Sequence, residues 1–285
     1  MTPDINALTR ATEGRVKVNG AELYYEVRGT GPAVLLIHGT NLDSGCYDAL
    51  AGILAKDFTV VTYDRRGYSR SPRPPAWEST SILEQADDAA ALLSAIGIGP
   101  LAVFGSSSAG PIALELALHH PKQVRGVLAH EPALFTVLPR DIVQETFAQL
   151  TPMIEQAVAA GGAAAGQQAL LGALAGAGGF ESLASAEMRE RWLSNAGFIF
   201  QVEFPNMLLG YQPDEGAIAA TRVTMQVMRA EESLPINVAA SEWLASKTGT
   251  SLLECPGTHL AYCQRPADVA EAIGPFLARV AVGVR

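Results

Sequence analysis

Three consecutive serines fenced by small residues, Gly105-Ser106-Ser107-Ser108-Ala109-Gly110, are the first candidates for chemistry in this chain. A serine hydroxyl is a weak nucleophile at neutral pH. It needs a base within hydrogen-bond reach and a third group to orient that base. The stretch reads as Gly-x-Ser-x-Gly with Ala109 in the last place, and this alignment selects Ser107. At a sharp strand-to-helix turn the backbone doubles back two residues either side of the exposed serine, so only small side chains fit there. Choosing Ser106 would put Phe104 at one crowded position; choosing Ser108 would put Ser106 and Gly110 there, a poorer fit. A phosphate-binding loop or an ordinary strand–helix turn is the alternative reading of the same residues.

The base must come from five histidines, His38, His119, His120, His130 and His259. His119 and His120 precede Pro121 at a predicted helix end, where capping explains them. His38 opens a His38-Gly39-Thr40 turn that suits an oxyanion loop better than a base. His259 sits in a Gly257-Thr258-His259 loop after the last predicted strand, downstream of serine and carboxylates, in the order serine, acid, histidine. The carboxylates that follow strands are Asp64, Glu131, Glu231 and Glu232. Asp64 and Arg65 read as turn-shaping, and Glu231 and Glu232 as either the acid or a solvated loop. Glu131 precedes Pro132, which biases its backbone to an extended shape.

The surrounding pattern supplies elements to carry these residues. Residues 15–28 read as a hairpin turning at Asn19-Gly20. Ala33-Val34-Leu35-Leu36-Ile37, Phe58-Thr59-Val60-Val61-Thr62-Tyr63, Leu101-Ala102-Val103-Phe104 and Val124-Arg125-Gly126-Val127-Leu128-Ala129 are largely apolar runs, as expected of parallel strands covered on both faces. Helical spacing between them, over about 42–55, 79–96 and 111–120, predicts a mostly parallel sheet with helices on both faces. The rhythm stops after Pro132. Residues 133–221 show no strand, and residues 157–179 are so rich in Ala and Gly that they read as weak helix or mobile linker. A strand over 222–228, a helix over 237–247, a strand over 251–255 and a final helix over 266–280 complete the pattern. The expected organisation is a core of residues 1–132 and 222–285, with 133–221 inserted as a helical cap or lid.

At 285 residues, 48% hydrophobic and 17% charged, the chain can bury a large core and is not disordered. A net charge of −9 argues against nucleic acid as a partner. The polar N-terminus carries no secretory leader pattern, and no apolar stretch is long enough for a membrane span. Three cysteines at Cys46, Cys255 and Cys263, without metal-type pairing, read as free thiols. The expectation is a cytoplasmic protein with no cofactor and no metal; homo-oligomerisation is left open.

In this order, the His38-Gly39-Thr40 turn, the stretch Asp64-Arg65-Arg66-Gly67-Tyr68-Ser69-Arg70-Ser71, the 105–110 turn and Gly257-Thr258-His259 resemble the α/β-hydrolase fold family over nearly the whole chain. The resemblance implies nucleophile Ser107, base His259, and an oxyanion hole from the backbone N–H groups of Thr40 and Ser108. In most relatives the acid follows the strand after the cap, where this chain has Glu231, Glu232 and Ser233 but no Asp. Ala129-His130-Glu131-Pro132, with the serine turn, is similar to the subgroup that includes the zearalenone lactonases, in which a glutamate after the earlier strand is the acid. That similarity favours Glu131 over Glu232. The implied activity is hydrolysis of a hydrophobic carboxylic ester or lactone through Ser107, His259 and Glu131. Carbon–carbon bond cleavage on the same fold, or small-molecule binding without catalysis, are the other readings.

Overall fold

The computed structural model describes residues 11–282. Of the residues read as a leaderless N-terminus, 1–12, the first ten lie outside the described residues. Eight strands form one sheet: β1 (Thr12–Val18), β2 (Ala21–Arg28), β3 (Ala33–Ile37), β4 (Thr59–Tyr63), β5 (Leu101–Ser106), β6 (Val124–His130), β7 (Thr224–Glu232) and β8 (Leu252–Thr258). Their order in space is β1-β2-β4-β3-β5-β6-β7-β8. The hairpin strand β2 pairs antiparallel with β1 and β4. Every pair from β4 through β8 is parallel.

Helices cover both faces, and the alternation of strand side chains divides the core. Leu35, Ile37, Leu101 and Val103 face α2 (Ile82–Ile96), α3 (Ala109–His119) and α7 (Pro235–Thr248). Val34, Leu36, Ala102 and Phe104 face α1 (Asp48–Leu54) and α9 (Pro266–Val282). This two-sided cover explains why the central strands are apolar throughout, as the sequence predicts.

Four local expectations change. The predicted helix over 42–55 begins at Asp48; before it Ser44–Tyr47 form a 3-10 turn whose entry is capped by Asp43. Residues 157–179 are no linker: α4 (Arg140–Leu174) runs through most of them, kinked at Gly161-Gly162, where Gly162 takes φ +74°. The strand expected to end at Met228 continues to Glu232 as β7, because β8 extends beside it and Glu232 pairs with Thr258. The strand expected to end at Cys255 likewise continues through Pro256 to Thr258. Pro256 is tolerated because β8 is the sheet's edge.

Between β6 and β7 the described chain contains no strand. It runs through α4, α5 (Ala186–Leu193), one turn at Ala196–Phe198, a π-helical stretch at Ile199–Leu208, and α6 (Glu215–Ala220). A four-residue helix, α8 (Ala261–Gln264), precedes α9. Among the described residues no helix is long and apolar enough to cross a membrane.

Candidate active site

The serine turn is held by close backbone packing. Ser107 takes φ +57°, a left-handed conformation costly for a residue with a side chain. A Cβ on Gly105 would lie 2.2 Å from the Ala109 carbonyl oxygen, and one on Gly110 would lie 2.6 Å from Pro132 Cβ. These contacts are the physical reason for the small residues around the serine. The Ser107 N–H donates to the His130 carbonyl (2.9 Å), while its own carbonyl accepts from Gly110 (2.9 Å) and Ala133 (3.0 Å). The three hydroxyls thus part company. Ser106 and Ser108 are fully buried and hydrogen-bonded, to His130 Nδ1 (2.9 Å) and to Thr40 respectively. Ser107 is partly exposed and lines a cavity.

His259 follows β8, is 5% exposed, and lines the same cavity as Ser107. Among the described residues no hydrogen bond joins the Ser107 hydroxyl to His259. On its other side His259 Nδ1 lies 2.5 Å from Glu131 Oε2. Glu131 stands directly after β6 and is fully buried. Its backbone is not extended as Pro132 leads one to expect; φ is +43°. Tertiary bonds override the local bias: its N–H donates to the Met228 carbonyl (2.9 Å), and its Oε1 accepts from the Ala230 N–H (2.8 Å) and the Ser233 hydroxyl. Asn237 Nδ2 donates to Oε2 (3.1 Å). Glu231 and Glu232 are exposed on the end of β7. Ser233 and Asn237 were not anticipated as partners of the acid, since nothing in their local sequence distinguishes them.

Burial alone would raise the Glu131 carboxyl. The hydrogen bond and charge of His259, helped by His130 and Ser233, outweigh it and hold the group down at about 2. The unfolded chain has the ordinary value of 4.5. Between these two values the unfolded state binds the extra proton, so this contribution is complete above the ordinary value and is lost as pH falls toward 2. Its size is on the order of 3 kcal/mol. Denaturant titrations from pH 5.5 to pH 3 are therefore expected to show a steeper loss of stability in the wild type than in Glu131→Gln. Parallel pH profiles would contradict the assigned environment.

The turn after β3 faces the serine. A Cβ on Gly39 would lie 2.9 Å from the Ser106 carbonyl and 3.1 Å from Ser107 Cβ, so only glycine permits this approach. His38 is buried, and burial followed by the charge of Arg65 drives it down to about 3, so it is neutral. Its Nδ1 donates to the Gly39 carbonyl (2.9 Å), and its Nε2 accepts the Arg65 N–H (3.0 Å). Thr40 points its N–H at the Ser108 hydroxyl oxygen, 2.9 Å away. Its own hydroxyl lies 2.8 Å from Ser108 Oγ and 2.7 Å from Glu203 Oε1. Glu203, on the π-helical stretch, also pairs with Arg65 (2.7 Å) and accepts from Tyr68. Arg65 and Glu203 are both fully buried, so Arg65 does more than shape a turn. The available signal for Glu203 was a lone carboxylate inside the apolar run Ile199-Phe200-Gln201-Val202-Glu203-Phe204, a place where an unpaired charge is costly.

The cavity in front of Ser107 and His259 has a volume of about 230 Å³. Phe147, Leu150 and Ile154 from α4 and Phe204 and Leu208 from the π-helical stretch form much of its apolar wall. Thr40 and Asn237 supply polar atoms near the serine end, and Glu155 is exposed at the cavity's boundary. The wall is mostly apolar but also carries Asn41, Thr146 and Thr151, so the chamber suits a largely hydrophobic ligand with a few polar groups.

A family model described as alpha/beta hydrolase fold matches residues 32–216. Among curated proteins, the uncharacterised hydrolase YraK of Bacillus subtilis (strain 168) is 45% identical over 125 residues, covering 44% of this chain and 46% of that protein. Zearalenone hydrolase of Bionectria ochroleuca is 34% identical over 116 residues, covering 40% of this chain and 44% of that protein. The chain thus matches less than half the length of each of these relatives. Among solved structures, Est816, described as an N-acyl homoserine lactone degrading enzyme, superposes with a TM-score of 0.73 at 23% identity, over 92% of this chain and all of that one. At that identity the likeness speaks for the fold.

Proposed function

Because the chain belongs to the alpha/beta hydrolase fold family, we propose that it is a hydrolase that cleaves hydrophobic carboxylic esters or lactones through Ser107, His259 and Glu131. The observation that carries this reading is the buried 2.5 Å contact between Glu131 and His259, with His259 and Ser107 on the wall of one apolar cavity.

In this mechanism His259 Nε2 takes the Ser107 proton as the serine oxygen attacks the carbonyl carbon. Glu131 holds the Nδ1–H, which keeps Nε2 unprotonated and free to accept, and then stabilises the imidazolium. The negative charge that develops on the carbonyl oxygen is met by the backbone N–H groups of Ser108 and Thr40, the latter released from or shared with the Ser108 hydroxyl. His259 returns the proton to the leaving alkoxide, and a water activated by His259 then hydrolyses the acyl-enzyme. The leaving alkoxide of a lactone stays tethered to the acyl group, so a largely apolar chamber can hold both ends during the second step. Residues 133–221 act as the lid that forms this chamber. The lactone form of the proposal is supported by the partial likeness to zearalenone hydrolase.

The test is labelling with a fluorophosphonate, followed by peptide mapping, alongside turnover of p-nitrophenyl esters and a set of lactones. Stoichiometric modification of Ser107 and repeated turnover are expected. An enzyme that is neither labelled nor active on any ester or lactone would overturn the proposal; cleavage of a β-diketone in place of esters would move it to carbon–carbon hydrolysis.

A further inference from the structure

We propose that Glu203 is a positioning residue for the oxyanion loop, delivered to it by the helical segment that also walls the cavity. The inference rests on the serine-hydrolase reading and adds a residue from a part of the chain that supplies none of the reacting groups.

The hydrogen bonds around Thr40 admit one consistent direction. An ionised carboxylate only accepts, and Glu203 faces the Arg65 guanidinium at 2.7 Å, so the Thr40 hydroxyl donates to Glu203 Oε1. With its single hydrogen so committed, Thr40 Oγ1 accepts from the Ser108 hydroxyl at 2.8 Å. Ser108 Oγ in turn accepts the Thr40 N–H at 2.9 Å. A chain of hydrogen bonds therefore runs from the carboxylate, through two hydroxyls, to the Thr40 N–H; it fixes Thr40 beside Ser108, and the N–H turns from Ser108 Oγ only when an oxyanion competes for it. Ser108 carries the other assigned N–H, so both donors are tied to one another by side chains.

Glu203 is itself anchored by Arg65 and Tyr68, both fully buried, and Arg65 Nε donates to the His38 carbonyl (2.9 Å). The carboxylate thus fixes the loop from two sides: through Arg65 onto His38, and through Thr40 onto Ser108. The next residue, Phe204, lines the cavity. The stretch that walls the cavity is also the stretch that carries Glu203 to Thr40. The segment winds as a π-helix, an uncommon conformation often found at functional sites, and it carries Glu203 next to Phe204.

The experiment compares wild type, Thr40→Val, Thr40→Ser, Glu203→Gln and the Thr40→Val/Glu203→Gln double variant. The probes are p-nitrophenyl butanoate turnover and inhibition by an alkyl trifluoromethyl ketone, whose serine adduct carries an oxyanion. Thr40→Val and Glu203→Gln are each expected to lower kcat about tenfold with KM within about twofold, and to weaken the ketone by a similar factor. Thr40→Ser, which keeps the hydroxyl, is expected to recover most of the kcat that Thr40→Val loses. The double variant should be no slower than the slower single variant, because both cut one relay. If Glu203→Gln leaves Arg65 unpaired and fails to fold, Thr40→Val, which keeps that pair, decides the matter. An active wild type with an unimpaired Thr40→Val, or effects on the two residues that multiply, would overturn the role of Glu203 alone. A wild type inert to ester and ketone would sink the serine-hydrolase reading and this inference with it.

Discussion

Glu131→Gln is expected to lower kcat for ester hydrolysis by about four orders of magnitude, while Glu232→Gln stays within about twofold. Glutamine is isosteric, so the packing after β6 survives. The Ala230 N–H and the Ser233 hydroxyl can still donate to the amide oxygen. The NH₂ group is then left facing His259 Nδ1 across what is now a 2.5 Å contact. Two N–H donors cannot share that gap, so the imidazole is driven to carry its proton on Nε2. In that tautomer the nitrogen aimed at Ser107 is a donor and cannot accept the serine proton. Glu232 has no such lever, because it is exposed at the end of β7 and makes no contact with the imidazole. Steady-state kinetics of the two variants, with thermal melts to show that both fold, would decide between them. A severe loss in Glu232→Gln with an active Glu131→Gln would transfer the acid to the later strand.

Ser107→Ala is expected to cost more still, about six orders of magnitude in kcat, with fluorophosphonate labelling abolished. No other hydroxyl in the turn can take over. Ser106 is fully buried against His130, and Ser108 is fully buried against Thr40. The variant should fold normally, since the Ser107 backbone makes the structural bonds to His130, Gly110 and Ala133, and alanine keeps them all. Melting temperature close to wild type with no turnover is the expected pair of results. Labelling that persists on Ser106 or Ser108 would show that the wrong serine had been chosen from the three.

Much of this arrangement was legible in the order of residues because its causes are local. The choice of Ser107 among three serines follows from crowding two residues to either side, and Gly105 pressed against the Ala109 carbonyl is that crowding made visible. The sheet followed from apolar runs separated by helical spacing, since a strand covered on both faces has no polar side to reveal. Element ends were less legible. β7 and β8 extend each other past the residues that looked like loop starts, which only their pairing explains.

The sequence by itself determined the strand–turn–helix that lifts Ser107, the sheet that carries it, and the short list of histidines and carboxylates able to serve it. Each of these depends on neighbours within a few residues. Only the tertiary structure decided which carboxylate meets His259, for Glu131 and His259 are 128 positions apart and meet because β6, β7 and β8 are adjacent in the sheet. It alone revealed Glu203, 163 positions from Thr40, as that residue's buried hydrogen-bond partner. A charge buried that deeply is stable only beside its counter-charge, and the Arg65 that supplies it lies across the fold, where no local pattern could point to it.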